Sequence, residues 1–483
     1  MAVSPADVRV IVERVCARPE VLDACARRDL GAVIAALKSS DITQGQISAL
    51  TGIPQGRLSE YATGRRKPQA SSTFEAFADG VGLPTAARRA LGLAEATASA
   101  NTAGAPDDSI KLSYPDGVSH AVDNVAALWR VDLADTTAFK RGRFDPRAWG
   151  DASLRWLVDP GRLPDARPAS GVRIGTGDVT RFRATVDLFS DLDSRFGGGH
   201  AREALIQYLS TDGERLLHGR YSEAVGRELF AAVAEGTLLA AWMTYDSSPT
   251  SSLAQGYFVQ ALSLSQAGGD RVLGGSILDA MSHQATFAAR FTDAANLARA
   301  ALAGTRGMAP PTLTAHFHTM EARALARLGD AKSCARALSE SVAEFDRANP
   351  QDAPSWMQYF NESELSAEFG HCMRDLGRAP DAVRYADSSR RASEAAFGRS
   401  DFFVSLVLAD AQVAAGDAEQ ACDVALKAIS SGDQIRSARC VSYLREFSKH
   451  LPIGANGAIA EFREHAMSAR LWRIASGPNT SKE

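Results

Sequence analysis

The sequence has no run of about 18 or more apolar residues, the length that a membrane span requires. Its most apolar stretch, Leu229 to Met243, is interrupted by Glu235 and Gly236 and reads as a buried helix. The opening Met-Ala-Val-Ser-Pro-Ala-Asp lacks a basic segment leading into an apolar one, so no secretion signal is expected. Cys16, Cys25, Cys334, Cys372, Cys422 and Cys440 are scattered, without a Cys-x-x-Cys pair. A disulfide framework or a structural zinc site needs clustered ligands, so these are expected to be buried thiols in a reducing cytoplasm. Aromatic residues make up only 7% of the chain. Alanine is abundant instead, and because it costs a helix least, the bias predicts an all-α fold.

Signatures of catalysis are missing as well. Gly175-Thr176-Gly177-Asp178 lacks the third glycine and the Lys-Ser/Thr of a phosphate-binding loop, so Asp178 reads as a helix cap. Gly197-Gly198-Gly199-His200 reads as a helix break. His316-Phe317-His318 puts two histidines on opposing sides of a helix, with no further ligand at metal spacing. No Ser, His and Asp set and no carboxylate pair stands out. The sequence therefore predicts neither an enzyme nor a bound metal or cofactor.

At 483 residues the chain is too long for one core. Ala94 to Pro115 is rich in Ala, Thr, Ser, Asp and Pro and cannot bury enough surface to fold, which makes residues 93–118 a linker. Residues 1–92 carry twelve Lys/Arg against nine Asp/Glu, a net +3, which leaves −7 for the remainder of a chain whose total is −4. A mildly basic head on an acidic body suits a head that meets phosphates. Beyond the linker, residues 119–199 hold amphipathic stretches, Val122–Leu133 and Ala148–Val158, and a Pro/Gly-rich loop from Pro160 to Gly177. They are expected to form a helical connecting domain, followed by helical repeats over 200–475 and a disordered tail over 476–483.

The repeats show in their turns. Gly329-Asp330-Ala331 precedes Ala335 and Leu338, Gly377-Arg378-Ala379 precedes Ala382 and Tyr385, and Gly416-Asp417-Ala418 precedes Ala421 and Val424. Weaker versions start at Gly219 and Arg290. A glycine ending one helix, a short turn, and a small residue at the next crossing describe paired helices. The glycine spacings, 48 and 39 residues, exceed the roughly 34-residue tetratricopeptide unit, so the pattern resembles degenerate, expanded repeats stacked as a solenoid.

The most specific segment is Gln44 to Pro68, QGQISALTGIPQGRLSEYATGRRKP. It predicts a first helix from Gln44 to Thr51, a turn at Gly52, and a second helix opening near Pro54, where a missing N–H costs nothing. Ile47, Leu50, Ile53, Leu58 and Tyr61 are expected to share a small core, with Ser48 at the close crossing. Leu30, Val33, Ile34 and Leu37 supply packing from upstream, and Phe74, Phe77, Val81 and Leu83 from downstream. That leaves Gln55, Gly56, Arg57, Ser59 and Glu60 on the outer face of the second helix, the part that enters a major groove in a helix-turn-helix. Gln pairs bidentately with adenine, and Arg reaches guanine or phosphate. Gln44 is placed at a helix N-terminus to meet a phosphate, and Arg65, Arg66 and Lys67 suit the flanking backbone.

Residues 28–37 (RDLGAVIAAL), 44–66 and 77–94 (FADGVGLPTAARRALGLA) resemble the Xre-type helix-turn-helix of actinobacterial regulators with a tetratricopeptide-like C-terminal region. The resemblance extends into ALWRVDL (127–133), RIGTGDVTRFR (173–183), GGGHAREALIQYL (197–209), AAWMTYD (240–246) and AQGYFVQALSLSQAGGD (254–270). It implies a lambda-repressor-like DNA-binding domain, transcriptional control, base reading at Gln55, Gly56 and Glu60, and phosphate contact at Gln44. Gly56 departs from the pattern, since many relatives carry a polar side chain there.

A helical-repeat groove is where an effector, a peptide or a small molecule, would sit. Trp242, Tyr257, His283, Gln284, His318, Arg323, Tyr359 and Asn361 are the polar and aromatic residues expected on the groove-lining helices. Double-stranded DNA is the expected main partner, read by a homodimer across a two-fold site in the cytoplasm, at the nucleoid. The competing expectation is a repeat scaffold that regulates through protein–protein contacts without DNA.

Overall fold

The alanine bias and the 3.6-residue periodicity are realised as helices in the described residues. The structure, a computed structural model, describes residues 11–477 except 13, 41, 52, 69–70, 94–112, 135–144, 160–170, 250, 393–397, 433 and 453–456. Among the described residues there is no strand, only an isolated bridge between Arg173 and Arg220. No helix there is long and apolar enough to cross a membrane. The expected turn glycine, Gly52, lies outside the described residues, as do most of the expected linker and nearly all of the tail. The chain forms two compact units, residues 1–104 and 105–483.

The first unit contains α1 (Pro19–Ala26), α2 (Leu30–Lys38), α3 (Gln44–Thr51), α4 (Gln55–Ala62), α5 (Ser71–Val81) and α6 (Thr85–Ala90). Asp29 caps α2 by accepting from the Ala32 N–H at 3.1 Å. Leu30, Val33, Ile34 and Leu37 pack with Ile47, Ile53, Leu58, Tyr61, Phe74, Phe77, Val81 and Leu83 in one core. Two glycines let backbones touch. A Cβ on Gly31 would run into the Tyr61 carbonyl, and one on Gly80 would lie 2.5 Å from the Thr51 Cα. The close approach at Gly80 corrects one expectation. Thr51 faces the core of α3, while Leu50 stays 36% exposed because α5 meets its backbone, not its side chain.

The second unit opens with α7 (Val118–Leu133), α8 (Pro146–Val158) and α9 (Thr176–Phe196). Next comes α10 (Arg202–Tyr208), which runs through a π-helical turn, Leu209–Gly213, into Glu214–Leu217. The repeats follow as α11 (Glu223–Ser247) with α12 (Ser252–Gly268), α13 (Arg271–Phe287) with α14 (Phe291–Gly304), and α15 (Pro311–Arg327) with α16 (Ala331–Phe345). After them stand α17 (Glu362–Asp375) with α18 (Ala379–Ala392), α19 (Gly398–Ala414) with α20 (Ala418–Ser431), then α21 (Ala438–His450), α22 (Gly457–Ala466) and α23 (Arg470–Ser476).

Gly329, Gly377 and Gly416 take the left-handed conformation that ends a helix, with φ of +75°, +71° and +89°. Ala289, with φ +58°, does the same ahead of α14. Gly219 does not, and instead packs against Ile174 beside the isolated bridge. The small residue at each crossing sits five positions after the glycine, as buried Cys334, Ala382 and Ala421. Cys334 thus replaces Ala335, which points outward.

Residues 119–199 share the main core of this unit with the repeats as far as Leu365 at the start of α17, and do not stand as a separate connecting domain. The reason is α12, which is buried along its whole length. Its polar side chains pin the preceding segments: Gln255 Nε2 donates to the Asp145 carbonyl at 2.7 Å, and Gln260 Nε2 to the Ser113 carbonyl at 3.2 Å. Asp178, as expected, caps α9 by accepting from the Gly175 N–H at 2.9 Å.

Candidate functional sites

In the first unit the pair α3 and α4 is built from local chemistry. Thr43 and Gln46 form a reciprocal cap at the start of α3: the Gln46 N–H donates to Thr43 Oγ1 at 3.3 Å and the Thr43 N–H to Gln46 Oε1 at 2.9 Å. Ser48 Oγ donates to the Ile53 carbonyl at 2.7 Å, and Thr51 Oγ1 to the Ile47 carbonyl at 2.7 Å, which fixes the turn. Leu58 and Tyr61 anchor α4, and no side chain caps its N-terminus.

Gln55, Gly56, Arg57, Ser59 and Glu60 are all exposed on the opposite face. Gln44 Nε2 donates to the Gln55 carbonyl at 2.9 Å, tying the start of α3 to the start of α4. Arg65, Arg66 and Lys67 are exposed after a left-handed Gly64, and Arg66 lies 3.7 Å from Glu60. An exposed pair of this kind contributes at most about 1 kcal/mol, so it leaves Arg66 available to another anion.

In the second unit the eight residues expected on a groove do not gather at one site. Tyr257 is buried in α12 and donates to Asp132 at 2.7 Å. Asn361 is a helix cap that accepts from the Glu364 N–H at 3.1 Å. Gln284 is buried, Tyr359 stands 3.4 Å from His316, and His318 lies beside Glu321 at 3.9 Å. Trp242 packs edge-on against Phe258 and His283. Helix α21 packs beside them, its Arg439 guanidinium 4.7 Å from the Tyr245 ring centre and 5.0 Å from that of Phe403.

His283 and Arg323 line a cleft of about 130 Å³ completed mainly by Arg327, Arg374, Asp375, Tyr443 and Glu446. A second, more open cleft of about 440 Å³ shares Arg374, Asp375 and Glu446 and adds Asp410, Val413 and His450. Sequence reading missed most of these, although Arg327 sits one turn beyond Arg323 and Tyr443, Glu446 and His450 recur at helical spacing.

Around the cleft, burial with Arg323 nearby drives His283 and His371 well below the usual histidine range, so both are neutral. Burial opposes charging of His316, but Asp279 at 2.8 Å outweighs it and raises the histidine. Burial with Glu368 alongside pushes Glu364 up to about 7. Arg323 pairs with Glu368 at 3.2 Å, and Arg374 with Asp375 at 2.7 Å.

The same unit holds a buried hub. Asp246 accepts from the Arg439 Nε at 2.8 Å, the Ser437 Oγ at 2.8 Å, the Gly198 N–H at 3.1 Å and Arg399 at 3.3 Å. The Gly199 N–H donates to the Arg436 carbonyl at 3.3 Å, and the Arg436 N–H to the Phe196 carbonyl at 3.0 Å. The glycine run thus clasps α11 to the segment leading into α21. Compared with models of known families, with curated proteins and with solved structures, the chain finds no match in any of the three.

Proposed function

We propose that the chain is a sequence-specific regulator of transcription that binds double-stranded DNA through α3 and α4, acts as a cytoplasmic homodimer at the nucleoid, and uses its second unit for effector sensing or assembly. The observation that carries this reading is the division of α4. Leu58 and Tyr61 are buried, while Gln55, Arg57, Ser59 and Glu60 stand clear on the face a groove would meet. A short helix with a packed inner edge and a free polar outer edge is the shape of a base-reading element. Gln44, by holding the Gln55 carbonyl, supports the reader while its helix end faces the backbone.

Single modules contact few base pairs, so pairing across a two-fold site supplies the remaining affinity. The experiment is mapping of genomic fragments retarded by the full chain, with Gln55→Ala and Arg57→Ala beside it. Each variant should lose about 1–3 kcal/mol on the preferred fragment and little on random DNA. Changing Arg65, Arg66 and Lys67 together to Glu should weaken all DNA alike and flatten the salt dependence. Failure to retard any fragment at low salt sinks the reading, and intact regulation in the triple variant favours a protein-binding scaffold.

A further inference from the structure

We infer that the cleft between α13, α15, α17 and α21 is a binding site for a small oxyanion, a phosphate or carboxylate group, gripped by Arg323 and Arg374. The inference rests on the reading of the second unit as a sensing unit and gives that unit a ligand class. Arg323 is 8% exposed, and its Nε has no hydrogen-bond partner. Arg374 Nη1 has only Asp410, at 3.7 Å, beyond hydrogen-bond reach. A buried guanidinium N–H without an acceptor is costly, and two from side chains that line the same cleft describe an acceptor's place.

The charges of the lining are paired with their neighbours. The lining holds three guanidiniums, from Arg323, Arg327 and Arg374, against two carboxylates, from Asp375 and Glu446. Asp375 is engaged by Arg374 at 2.7 Å and Arg327 at 3.6 Å, and Arg323 by Glu368 at 3.2 Å, so what the cleft offers a guest is the unpartnered N–H groups of Arg323 and Arg374 and not surplus charge. His283 on the same wall is neutral and adds no charge. The volume of about 130 Å³ admits a head group or a short acid, while the adjoining cleft of about 440 Å³, walled in part by Val413 and Ala414, gives a tail somewhere to go. Guanidinium groups match the planar spacing of such oxyanions in a way that an ammonium does not.

Titration calorimetry of the full chain with inorganic phosphate and, separately, with succinate tests the site without any DNA. Saturable one-to-one binding of either is expected, and which one binds more tightly identifies the head group. Ser442→Asp places a negative charge on the lining without touching an arginine pair, and Arg327→Gln removes the most exposed cation. Both variants, checked for retained helical signal, should bind at least about tenfold more weakly, about 1.4 kcal/mol. Absence of saturable heat at millimolar concentrations of both probes overturns the inference, as does equal binding by wild type and variants. DNA retardation on the same preparations reports separately on the helix-turn-helix reading, so one can fail while the other stands.

Discussion

Two glycines, both within helices of the first unit, are expected to respond oppositely to the same substitution. Gly56 lies on the outer face of α4, and nothing comes within 4 Å of where its Cβ would be. Gly56→Ala should therefore stabilise α4 by about 0.5–1 kcal/mol, the ordinary cost of glycine in a helix. Gly80 has the Thr51 Cα and the Leu50 backbone in that place, and backbone cannot step aside. Gly80→Ala should cost about 1–3 kcal/mol as overpacking. Hydrogen exchange of the full chain, read on peptides covering α3 to α5, separates the two: slower for Gly56→Ala, faster for Gly80→Ala. Equal protection in both variants would show that the helices do not meet at Gly80. The residue scale also marks where sequence reading stops. Gln55 and Arg57 are legible because a helical period leaves them outside, whereas Leu50 is misread because the choice between its side chain and Thr51 is made by a glycine thirty residues on.

Within elements, what is local is legible. The helix-ending glycines, the cap at Asp178 and the bounds of α3 and α4 follow from backbone sterics and nearby hydrogen bonds, which a short window of sequence contains. What packs on what is not in that window. Trp156 of α8 is fully buried in a slot whose walls are Gly274 of α13 and Gly304 of α14, with the Arg271 guanidinium 3.8 Å from the ring centre. No periodicity in either segment announces this meeting. A Cβ on Gly274 would lie 2.7 Å from Trp156 Cε2, so Gly274→Ala should push the indole out and cost about 1–3 kcal/mol. Gly150→Ala, on the exposed side of the same α8 with open space around it, should be neutral or mildly stabilising. All six tryptophans lie in the second unit, so their emission during denaturant unfolding follows that unit alone. A midpoint for Gly274→Ala as high as that for Gly150→Ala would mean that α8 is not seated in the slot.

At the scale of the molecule, the unit of residues 105–483 is closed by charge as well as by packing. Gly197 to Gly199 are legible as a break but not as a clasp, because their partners, Asp246 and Arg436, are distant in sequence. Asp246 is held between Arg399 and Arg439 with its carboxylate wholly buried. Burial alone would raise its pKa, but the two guanidiniums outweigh burial and hold it below the ordinary value of 3.8. A carboxylate lowered on folding stabilises the native state above its unfolded pKa, and that stability drains away as pH falls through the folded value. Asp246→Asn takes the carboxylate from buried Arg439 and leaves Arg399 with Asp193, and should cost about 3–5 kcal/mol at neutral pH. The hub is expected to be most important there. As the medium is acidified below about 3.8, wild-type Asp246 itself takes up a proton, and the gap between wild type and variant should shrink. Unfolding midpoints from tryptophan emission across that pH range give the test, because an aspartate that served only as a hydrogen-bond acceptor for Ser437 and the Gly198 N–H would be replaced by asparagine at small and pH-independent cost.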